Sequence, residues 1–470
     1  MGKGAKTRTK RQSIVAGVQG QGVAADGLPV LRRNVAGIDV GSTEHWVCAP
    51  PPPDGTANVE TFGTTTRELE KLADWLKAQS VASVAMESTG VYWIPVYELL
   101  ESRGFQVLLA NAKQLSHVPG RKTDMLDCQW IQLLHSCGLL RGSFRPADDI
   151  CQLRALLREC SNLIEDRCRA VQRMQKALDQ MNVQVHRAVS DITGTTGLGI
   201  IRAIVAGERD PLALAGLRDK RCGKSALEFA EHLRGTWREE HLFNLGMNLE
   251  LYDKLNEMIE RYHQKISELM RRLEPAERAA QPPPAHPNPT KAKAICRRGE
   301  EEMRAALWRF SGVDLTRIDA ISTGAATVVL TEVGLDLSDF PTEKHFVSWL
   351  RLSPNRAISG GKVLKKKRNA ASATRVANVL RMAACSLQRS QTALGAQFRR
   401  LARRKGYAVA VFATARKLAV LIYRLLRFGQ DYVDQGAAAY EQRFTERRLH
   451  NLMSVAKQMG YELKPLPAAA

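Results

Sequence analysis

A single carboxylate lies inside an apolar segment near the start of the chain, and this placement restricts the fold more than any other feature. Residues 35–42 read VAGIDVGS, a short apolar run bounded by glycine that is typical of a buried strand. Burying an unpaired carboxylate is costly or forces the group to take up a proton. We therefore expect the acid of this run, Asp39, to face a cation.

A second run repeats the arrangement further along the chain. Residues 81–87 read VASVAME, so that Glu87 follows an apolar strand-like segment and precedes the turn residues 88–90. The repetition predicts that both acids converge on the same cation.

Two further acids open a helical stretch that we place over residues 123–137. Asp124 and Asp127 are three apart and lie on one helical face, which Ile131 and Leu134 extend toward packed structure. With the two strand acids they can form a four-carboxylate cage for hard divalent cations. Mg²⁺ prefers a few carboxylates plus substrate phosphates. Two such ions about 4 Å apart can clamp the attacking and leaving oxygens of a phosphodiester.

Each of these acids also has an ordinary structural interpretation. Asp39 alone is compatible with a turn, and Glu87 alone is compatible with a position beside a helix N-cap. Asp124 and Asp127 are compatible with first-turn acids that interact favourably with the helix dipole. The set as a whole, in matching strand contexts, favours the metal site.

The charge of the chain predicts a polyanionic partner. There are 69 Lys and Arg against 48 Asp and Glu, a net charge of +21, and counterion release makes nucleic acid the usual partner of such a surplus. A ribosome-like or merely basic protein is the alternative. The cations cluster at residues 3–11, 362–368 and 399–405. We expect residues 1–34 to form a disordered basic arm.

The cysteines and the hydropathy pattern indicate a cytoplasmic protein without a membrane partner. The nine cysteines include no C-x-x-C pair and no His at zinc-finger spacing, so we interpret them as structural thiols. No segment approaches the roughly 18 apolar residues that a membrane span requires. The N-terminal arm also lacks the apolar core of a secretory signal peptide.

Residues 35–146 alternate strand-like and helical patterns and fit an α/β, ribonuclease H-like fold. The predicted strands are 35–40, 45–49, 59–64, 81–87 and 105–110, and the predicted helices are 66–79, 95–103 and 123–137. Asp54 and Gly55 predict a hairpin turn between the second and third strands.

From residue 147 the sequence pattern becomes typical of helices. Apolar residues recur every three or four positions over 150–181, which predicts a long amphipathic helix, and residues 251–269 provide a returning one. We expect a coiled-coil region over 147–280, in which the helices pair either within one chain or between two chains. An insert at 193–237 reads as several short helices. A Pro-rich linker follows at 281–290.

The last part, residues 291–435, is predicted to be mainly α-helical and is followed by a tail at 436–470. Its informative interruption is a loop in which Ser359 precedes Gly360 and Gly361 and then a basic cluster. Glycines let the backbone approach a phosphate, and neighbouring cations can hold it there. The serine is then a candidate nucleophile. The alternative is a glycine hairpin with an incidental serine beside a phosphate-binding basic strip.

Three motifs occur in the same order as in a known group of enzymes. They are ESTGVY at 87–92, KTDMLD at 122–127 and SGGK at 359–362. Together they resemble the insertion-sequence transposases with a RuvC-like DEDD domain, which include bridge-RNA-guided recombinases and pilin-gene invertases. The resemblance extends from residue 35 to about residue 432. It implies a RuvC-like domain over 35–146 and a C-terminal transposase domain over 291–435.

The resemblance also implies roles for individual residues. Asp39, Glu87, Asp124 and Asp127 would be catalytic acids that bind Mg²⁺, as two ions, and Ser359 would attack DNA to form a phosphoserine intermediate. The basic residues expected to contact nucleic acid are Lys122, Arg356, Lys362, Lys365, Lys366, Lys367 and Arg368.

The partners implied by the resemblance are donor and target DNA and a structured noncoding guide RNA. Members of the group act as homodimers that assemble into tetramers, joining the carboxylates of one subunit to the serine domain of another. Because base pairing then selects the sequence, the protein is left to recognise backbone and shape. The expected location is the bacterial cytoplasm, in association with the nucleoid.

Other functions remain open at this point. A site-specific DNA invertase of the same group is one. Residues 37–43 also resemble the first phosphate motif of actin-like ATPases and sugar kinases, although no convincing second Asp-x-Gly loop follows residue 140. A noncatalytic nucleic-acid-binding protein is the third.

Overall fold

The computed structural model describes residues 29–52, 58–88, 90–110, 124–219, 223–278, 281–353, 357–359, 362–364, 374–429 and 434–463. These residues divide into two compact units, with the boundary between Arg145 and Pro146. Most of the predicted basic arm, residues 1–28, and the predicted turn at Asp54 and Gly55 lie outside the described residues.

The first unit is a mixed sheet with helices on both faces. Its strands are β1 (Val35–Val40), β2 (Glu44–Cys48), β3 (Val59–Gly63), β4 (Ser83–Glu87) and β5 (Gln106–Ala110), and its helices are α1 (Thr66–Ala78), α2 (Trp93–Ser102) and α3 (Asp124–Ser136). The strand order is β3-β2-β1-β4-β5, in which β1, β2 and β3 are antiparallel and β1, β4 and β5 are parallel. This architecture is consistent with the predicted RuvC-like domain.

Both faces of the central strands are buried. Ile38 and Met86 point to one face, where they pack with residues of α1 and α2. Ala85 points to the opposite face and packs with Ile131 and Leu134 of α3. The apolar runs of β1 and β4 are nearly continuous because each strand is covered on both sides.

Local signals explain where the helices begin. Thr65 caps α1 by accepting a hydrogen bond from the Glu68 backbone N–H. Helix α2 begins at Trp93, two residues before the predicted start at Pro95. Proline is tolerated in a first helical turn because the N–H groups there have no intrahelical acceptor, so it does not have to mark the first residue.

Residues 29–34, which we predicted to belong to a disordered basic arm, are within the described part of the chain. The backbone N–H groups of Leu31 and Arg32 both donate to the Ser136 carbonyl, each at 2.9 Å, at the C-terminal end of α3. These hydrogen bonds fix the residues just before β1, which corrects the predicted limit of the arm at residue 34.

The second unit is mostly helical. Its helices are α4 (Asp148–Gln180), α5 (Val185–Ala188), α6 (Thr195–Val205), α7 (Pro211–Gly216), α8 (Ala226–Leu233), α9 (Glu239–Leu273), α10 (Pro289–Arg297), α11 (Glu301–Ser311), α12 (Thr323–Val333), α13 (Glu343–Trp349), α14 (Arg375–Ser386), α15 (Ala393–Lys405), α16 (Tyr407–Phe428) and α17 (Gly436–Gln458). A short 3₁₀ turn spans Leu315–Arg317, and a two-stranded hairpin joins β6 (Ala357–Ser359) to β7 (Lys362–Leu364).

The two long helices α4 and α9 pack along each other within the chain. Between them Arg167 donates to the Asn256 side chain at 2.9 Å. The intervening segment contains the short helices α6, α7 and α8, as predicted for the insert. The packing of α4 against α9 within one chain explains why each helix carries an apolar stripe. Coiled-coil geometry stays a prediction.

The C-terminal helices form a bundle around α16. Helices α13, α14 and α15 pack against α16, and α17 packs against α15. The Tyr423 hydroxyl, buried in this bundle, donates to the Phe340 carbonyl at 2.7 Å. Residues that we described as a tail are helical over α17. No helix among the described residues is both long and apolar enough to cross a membrane.

Candidate active site

The first two predicted acids lie side by side at one edge of the sheet. Strands β1 and β4 are parallel, and Ile38 is paired with Met86. Asp39 and Glu87 each come one residue later, at the carboxyl ends of neighbouring strands. Because paired residues of parallel strands point to the same face, both acids project from the face opposite Ile38. Both are partly buried.

Helix α3 covers that face at very short distance from β1. A Cβ atom at Gly37 would lie 2.3 Å from the Gln132 backbone nitrogen and 2.4 Å from the Cys128 carbonyl oxygen. Gly37 is two residues before Asp39 and therefore points to the same face. The missing side chain allows the helix backbone to rest directly on the strand.

The direction of α3 places its first turn beside the acids. The Gln132 side chain donates to the Val35 carbonyl at 3.3 Å, so the helix runs from the carboxyl end of β1 toward its amino end. Asp124 is the first residue of α3, and Asp127 follows in the same turn, partly buried. The backbones of all four predicted acids therefore meet at one edge of the sheet.

The environment of Cys128 reflects this proximity. Burial, followed by the negative charges of Cys48 and Asp39, raises the pKa of the Cys128 thiol to about 12. Cys128 directly follows Asp127 in α3. The negative charge of Asp39 therefore acts on a thiol that directly follows the first turn of α3, as expected from the antiparallel arrangement of β1 and α3.

A tryptophan that the motif analysis overlooked lies next to this edge. In the β1–β2 hairpin Asp39 is paired with Trp46, so both side chains lie on the same face of the sheet. The indole Nε1–H donates to Glu44 Oε1 at 3.0 Å, which restricts the ring. The sequence pattern did not reveal this pairing, because it depends on the tight turn in which the Gly41 backbone N–H donates to the Glu44 carbonyl at 3.1 Å.

The donor chemistry at this edge fits a hard divalent cation. Carboxylate oxygens are the ligands that Mg²⁺ prefers in proteins. Among side chains that the structure describes, no three His, Cys, Asp or Glu residues are grouped closely enough to hold a metal ion. The side chain of Asp124 lies outside the described set. The structure thus brings the backbones of the four acids to one edge but does not gather the described carboxylates into a cage.

Ser359 lies in the second unit, at the end of strand β6. It is paired with Lys362, the first residue of β7, so Gly360 and Gly361 connect two antiparallel strands. The backbone therefore forms the hairpin that the paired glycines predict. The side chains of Ser359 and Lys362 are outside the described set. Lys122, Arg356, Lys365, Lys366, Lys367 and Arg368 lie entirely outside the described residues.

A buried Ser–His pair occurs at the opposite end of the sheet and is structural. The Ser83 hydroxyl donates to the Gln106 carbonyl at 3.0 Å, so it accepts from His135 Nε2 at 2.9 Å. The other ring nitrogen of His135 is buried and has no hydrogen-bond partner among the described residues. Burial, with a smaller contribution from the charge of Arg32, lowers the pKa of His135 to about 4.

Comparison with protein families assigns both regions to one kind of enzyme. Residues 36–183 match the family model DEDD_Tnp_IS110, described as a transposase. Residues 313–399 match a second model, described as the transposase IS116/IS110/IS902 family. The chain is an IS110-family DNA transposase. The two matches together span half of the 470 residues. Among curated proteins, none matches the chain.

The two family matches contain both parts of the predicted chemistry. The first match includes the acids from Asp39 to Asp127, and the second includes the hairpin that carries Ser359. The family assignment favours DNA as the substrate and disfavours the actin-like ATPase interpretation of residues 37–43. Its DEDD motif also suggests that the enzyme uses a divalent metal.

Proposed function

We propose that this transposase catalyses Mg²⁺-dependent cleavage and strand exchange of DNA through a covalent phosphoserine intermediate. The observation that supports the acidic half of the proposal is the register of β1 and β4. It places Asp39 and Glu87 side by side, under the first turn of a helix that begins with Asp124.

In the proposed reaction Ser359 is the nucleophile. Its Oγ forms a bond to a backbone phosphorus of DNA, the hydroxyl proton is lost, and the departing sugar oxygen takes up a proton. Attack by a sugar hydroxyl of another strand then reverses the chemistry and releases the serine. Each step replaces one phosphate ester with another, so the exchange needs no nucleotide hydrolysis.

The residues proposed to hold two Mg²⁺ ions are Asp39, Glu87, Asp124 and Asp127. When bound, the ions would stabilise negative charge on the attacking and leaving oxygens. The protein would contribute the backbone positions of these residues, because α3 packs directly on β1 at Gly37 and β1 pairs with β4. Partial burial of Asp39 and Glu87 limits the water around them, which strengthens their interaction with a cation.

We further propose that a structured noncoding RNA selects donor and target DNA by base pairing, and that the active form is a dimer that assembles into a tetramer. The net charge of +21 suits a protein that binds nucleic-acid backbones in both RNA and DNA. An inversion of DNA by the same chemistry would yield a different product from the same strand exchange.

The experiment that tests the nucleophile uses the purified full chain with donor DNA, target DNA, candidate RNA and Mg²⁺. A protein–DNA adduct stable to denaturation is expected from the wild type and absent from Ser359→Ala. Ser348→Ala, on α13, is the matched control and should form the adduct normally. An adduct that persists in Ser359→Ala would show that another group attacks the DNA.

The metal set is tested in the same assay. Asp39→Asn and Asp127→Asn should abolish the adduct, whereas Asp74→Asn should not, because the Asp74 side chain is 68% exposed and pairs with Arg103 on the surface of the first unit. Full activity of the Asp39 or Asp127 variant would contradict the metal assignment. Omission of the RNA alone tests guidance, since a guided enzyme loses sequence-specific adducts without it.

Mixing two inactive proteins tests the proposed oligomer. If the acids of one subunit act with the serine of another, equal amounts of Asp39→Asn and Ser359→Ala protein should recover part of the wild-type activity. Absence of any recovery, with both proteins shown to exchange subunits, would contradict this arrangement.

A further inference from the structure

The positive charge of the chain is concentrated in one segment. Residues 344–430 contain 20 Lys and Arg and no Asp or Glu, against a net charge of +21 for the whole protein. The segment begins directly after Glu343, which pairs with Arg424 at 2.7 Å. Its described helices α14, α15 and α16 therefore carry cations without neighbouring acids of their own sequence.

Helices α14 and α16 place part of this charge around exposed apolar side chains. The Arg381 guanidinium of α14 lies 5.2 Å from the ring centre of Phe412 in α16. One turn away, Cys385 of α14 shares a side-chain hydrogen bond with Tyr407 at the start of α16. These two contacts show that the helices run antiparallel, so the next turn of α16 carries Arg416 beside Asn378.

The side chains of this α14–α16 face are unusually exposed for their type. Met382 is 71%, Tyr407 49% and Phe412 42% exposed. The Arg381 guanidinium lies over the Phe412 ring and donates to the Asn378 side chain, so these three side chains belong to one surface. The basic end of α15, from Arg403 to Lys405, lies immediately before Tyr407 in the chain and is exposed.

We propose that the α14–α16 face, formed by Asn378, Arg381, Met382, Tyr407, Phe412 and Arg416, binds an unpaired DNA strand. Exposed rings among arginines suit single strands, because unpaired bases can stack on aromatic rings while cations follow the phosphates. The bases of a duplex are already stacked on each other and offer no free face to an aromatic ring. Binding of a duplex through its phosphates would therefore not account for the exposure of Phe412 and Met382. The absence of acids from the segment suits a polyanion.

This inference rests on the proposed function, since strand exchange separates DNA strands that must be held until they are joined. In this proposal Phe412 and Arg381 form the stacking platform, and Arg416 contacts a phosphate one helical turn away. The face is a binding surface and is not assigned a role in bond formation.

The test measures binding of a fluorescent 20-nucleotide oligothymidylate to the full chain by anisotropy at several salt concentrations. Phe412→Leu should weaken binding about fivefold or more, because base–aromatic stacking is lost, and should leave the salt dependence unchanged. Arg416→Gln should instead reduce the slope of log affinity against log salt by about 0.7, the value expected for one lost phosphate contact with a single strand.

Phe243→Leu is the matched control. Phe243 is 66% exposed on α9, outside the acid-free segment, and its replacement should not change the affinity. Thermal unfolding of both leucine variants shows whether either has lost its fold. Equal affinities of wild type and Phe412→Leu protein, with both folded, would overturn the proposal.

Two further ligands distinguish unpaired DNA from other nucleic acids. A blunt 20-base-pair duplex should bind wild type and Phe412→Leu protein equally. Loss of duplex binding equal to the loss of oligothymidylate binding would overturn the stacking role, and so would an effect confined to an oligouridylate of the same length.

The inference and the proposed function can fail separately. Ser359→Ala protein should bind oligothymidylate as the wild type does while forming no adduct. If wild type and Ser359→Ala form equal adducts but Phe412→Leu still weakens strand binding, the nucleophile assignment fails and the binding face stands. If adduct formation depends on Ser359 and Phe412→Leu binds normally, only the binding face fails.

Discussion

Replacement of Gly37 by alanine is the most direct test of how the fold positions the acids. The new Cβ would lie 2.3 Å from the backbone nitrogen of Gln132 and 2.4 Å from the carbonyl oxygen of Cys128. Both are atoms of the α3 backbone, so no side-chain rotation relieves the contact. Ordinary contacts begin at 3.4 Å, and α3 must therefore move away from β1 by about 1 Å.

The displacement should affect activity more than stability. Overpacking of this kind costs typically 1–3 kcal/mol, which a domain of this size can survive. The same shift moves the first turn of α3, with Asp124 and Asp127, relative to Asp39 and Glu87. A misplacement of about 1 Å in a catalytic arrangement can lower the rate by about 100-fold.

The assay compares adduct formation and thermal unfolding of wild type, Gly37→Ala and Gly142→Ala. Gly142 is a matched control in the same unit, because its added Cβ would meet no described residue closer than Leu108, at an ordinary 3.8 Å. We expect a loss of about 100-fold in rate for Gly37→Ala and near-normal activity for Gly142→Ala. Normal activity of folded Gly37→Ala protein would refute the conclusion that α3 positions the acids through this contact.

Two further predictions concern stability. The pKa of His135 is lowered to about 4, from 6.5 in an unfolded chain, so roughly 3 kcal/mol of stability is present above pH 6.5 and is lost as the pH falls toward 4. The melting temperature should therefore depend less on pH in His135→Gln than in the wild type over this range. An equal dependence of melting temperature on pH in the two proteins would contradict the assignment. Arg304 donates to buried Asp314 at 2.6 and 2.9 Å. Arg304→Met should lower the free energy of unfolding by about 3–5 kcal/mol, because it leaves the buried Asp314 carboxylate without its ion-pair partner. Arg103→Met breaks an exposed pair and should lower it by at most about 1 kcal/mol. Similar melting temperatures for the two variants would contradict this prediction.

The sequence predicted the strands of the first unit to within two residues because each is a short apolar run closed by turn residues. It also predicted that Asp39 and Glu87 belong to one site, since both follow such runs. It did not predict which face of the sheet they occupy. Both faces of β1 and β4 are buried, so apolar residues do not alternate with polar ones and the periodicity that identifies a face is absent.

The role of Gly37 could not be predicted from the sequence either. A glycine within a strand indicates a bulge or the close approach of another backbone, but the partner becomes known only when α3 is in place. The pairing of Trp46 with Asp39 depends on the position of the turn at Gly41, which several hairpin lengths could have satisfied. The long helices α4 and α9 were evident because their stripes extend over many turns.

Asp39 is the last but one residue of β1 and Glu87 is the last residue of β4, and this placement separates two properties that many enzymes combine. The acids belong to the sheet and share its rigidity, whereas the connecting segments begin two residues after Asp39 and one residue after Glu87. Those segments can change in length and composition without moving the carboxylates. An enzyme arranged in this way can alter its loops, and with them its contacts to nucleic-acid backbones, while the reactive centre stays as it was.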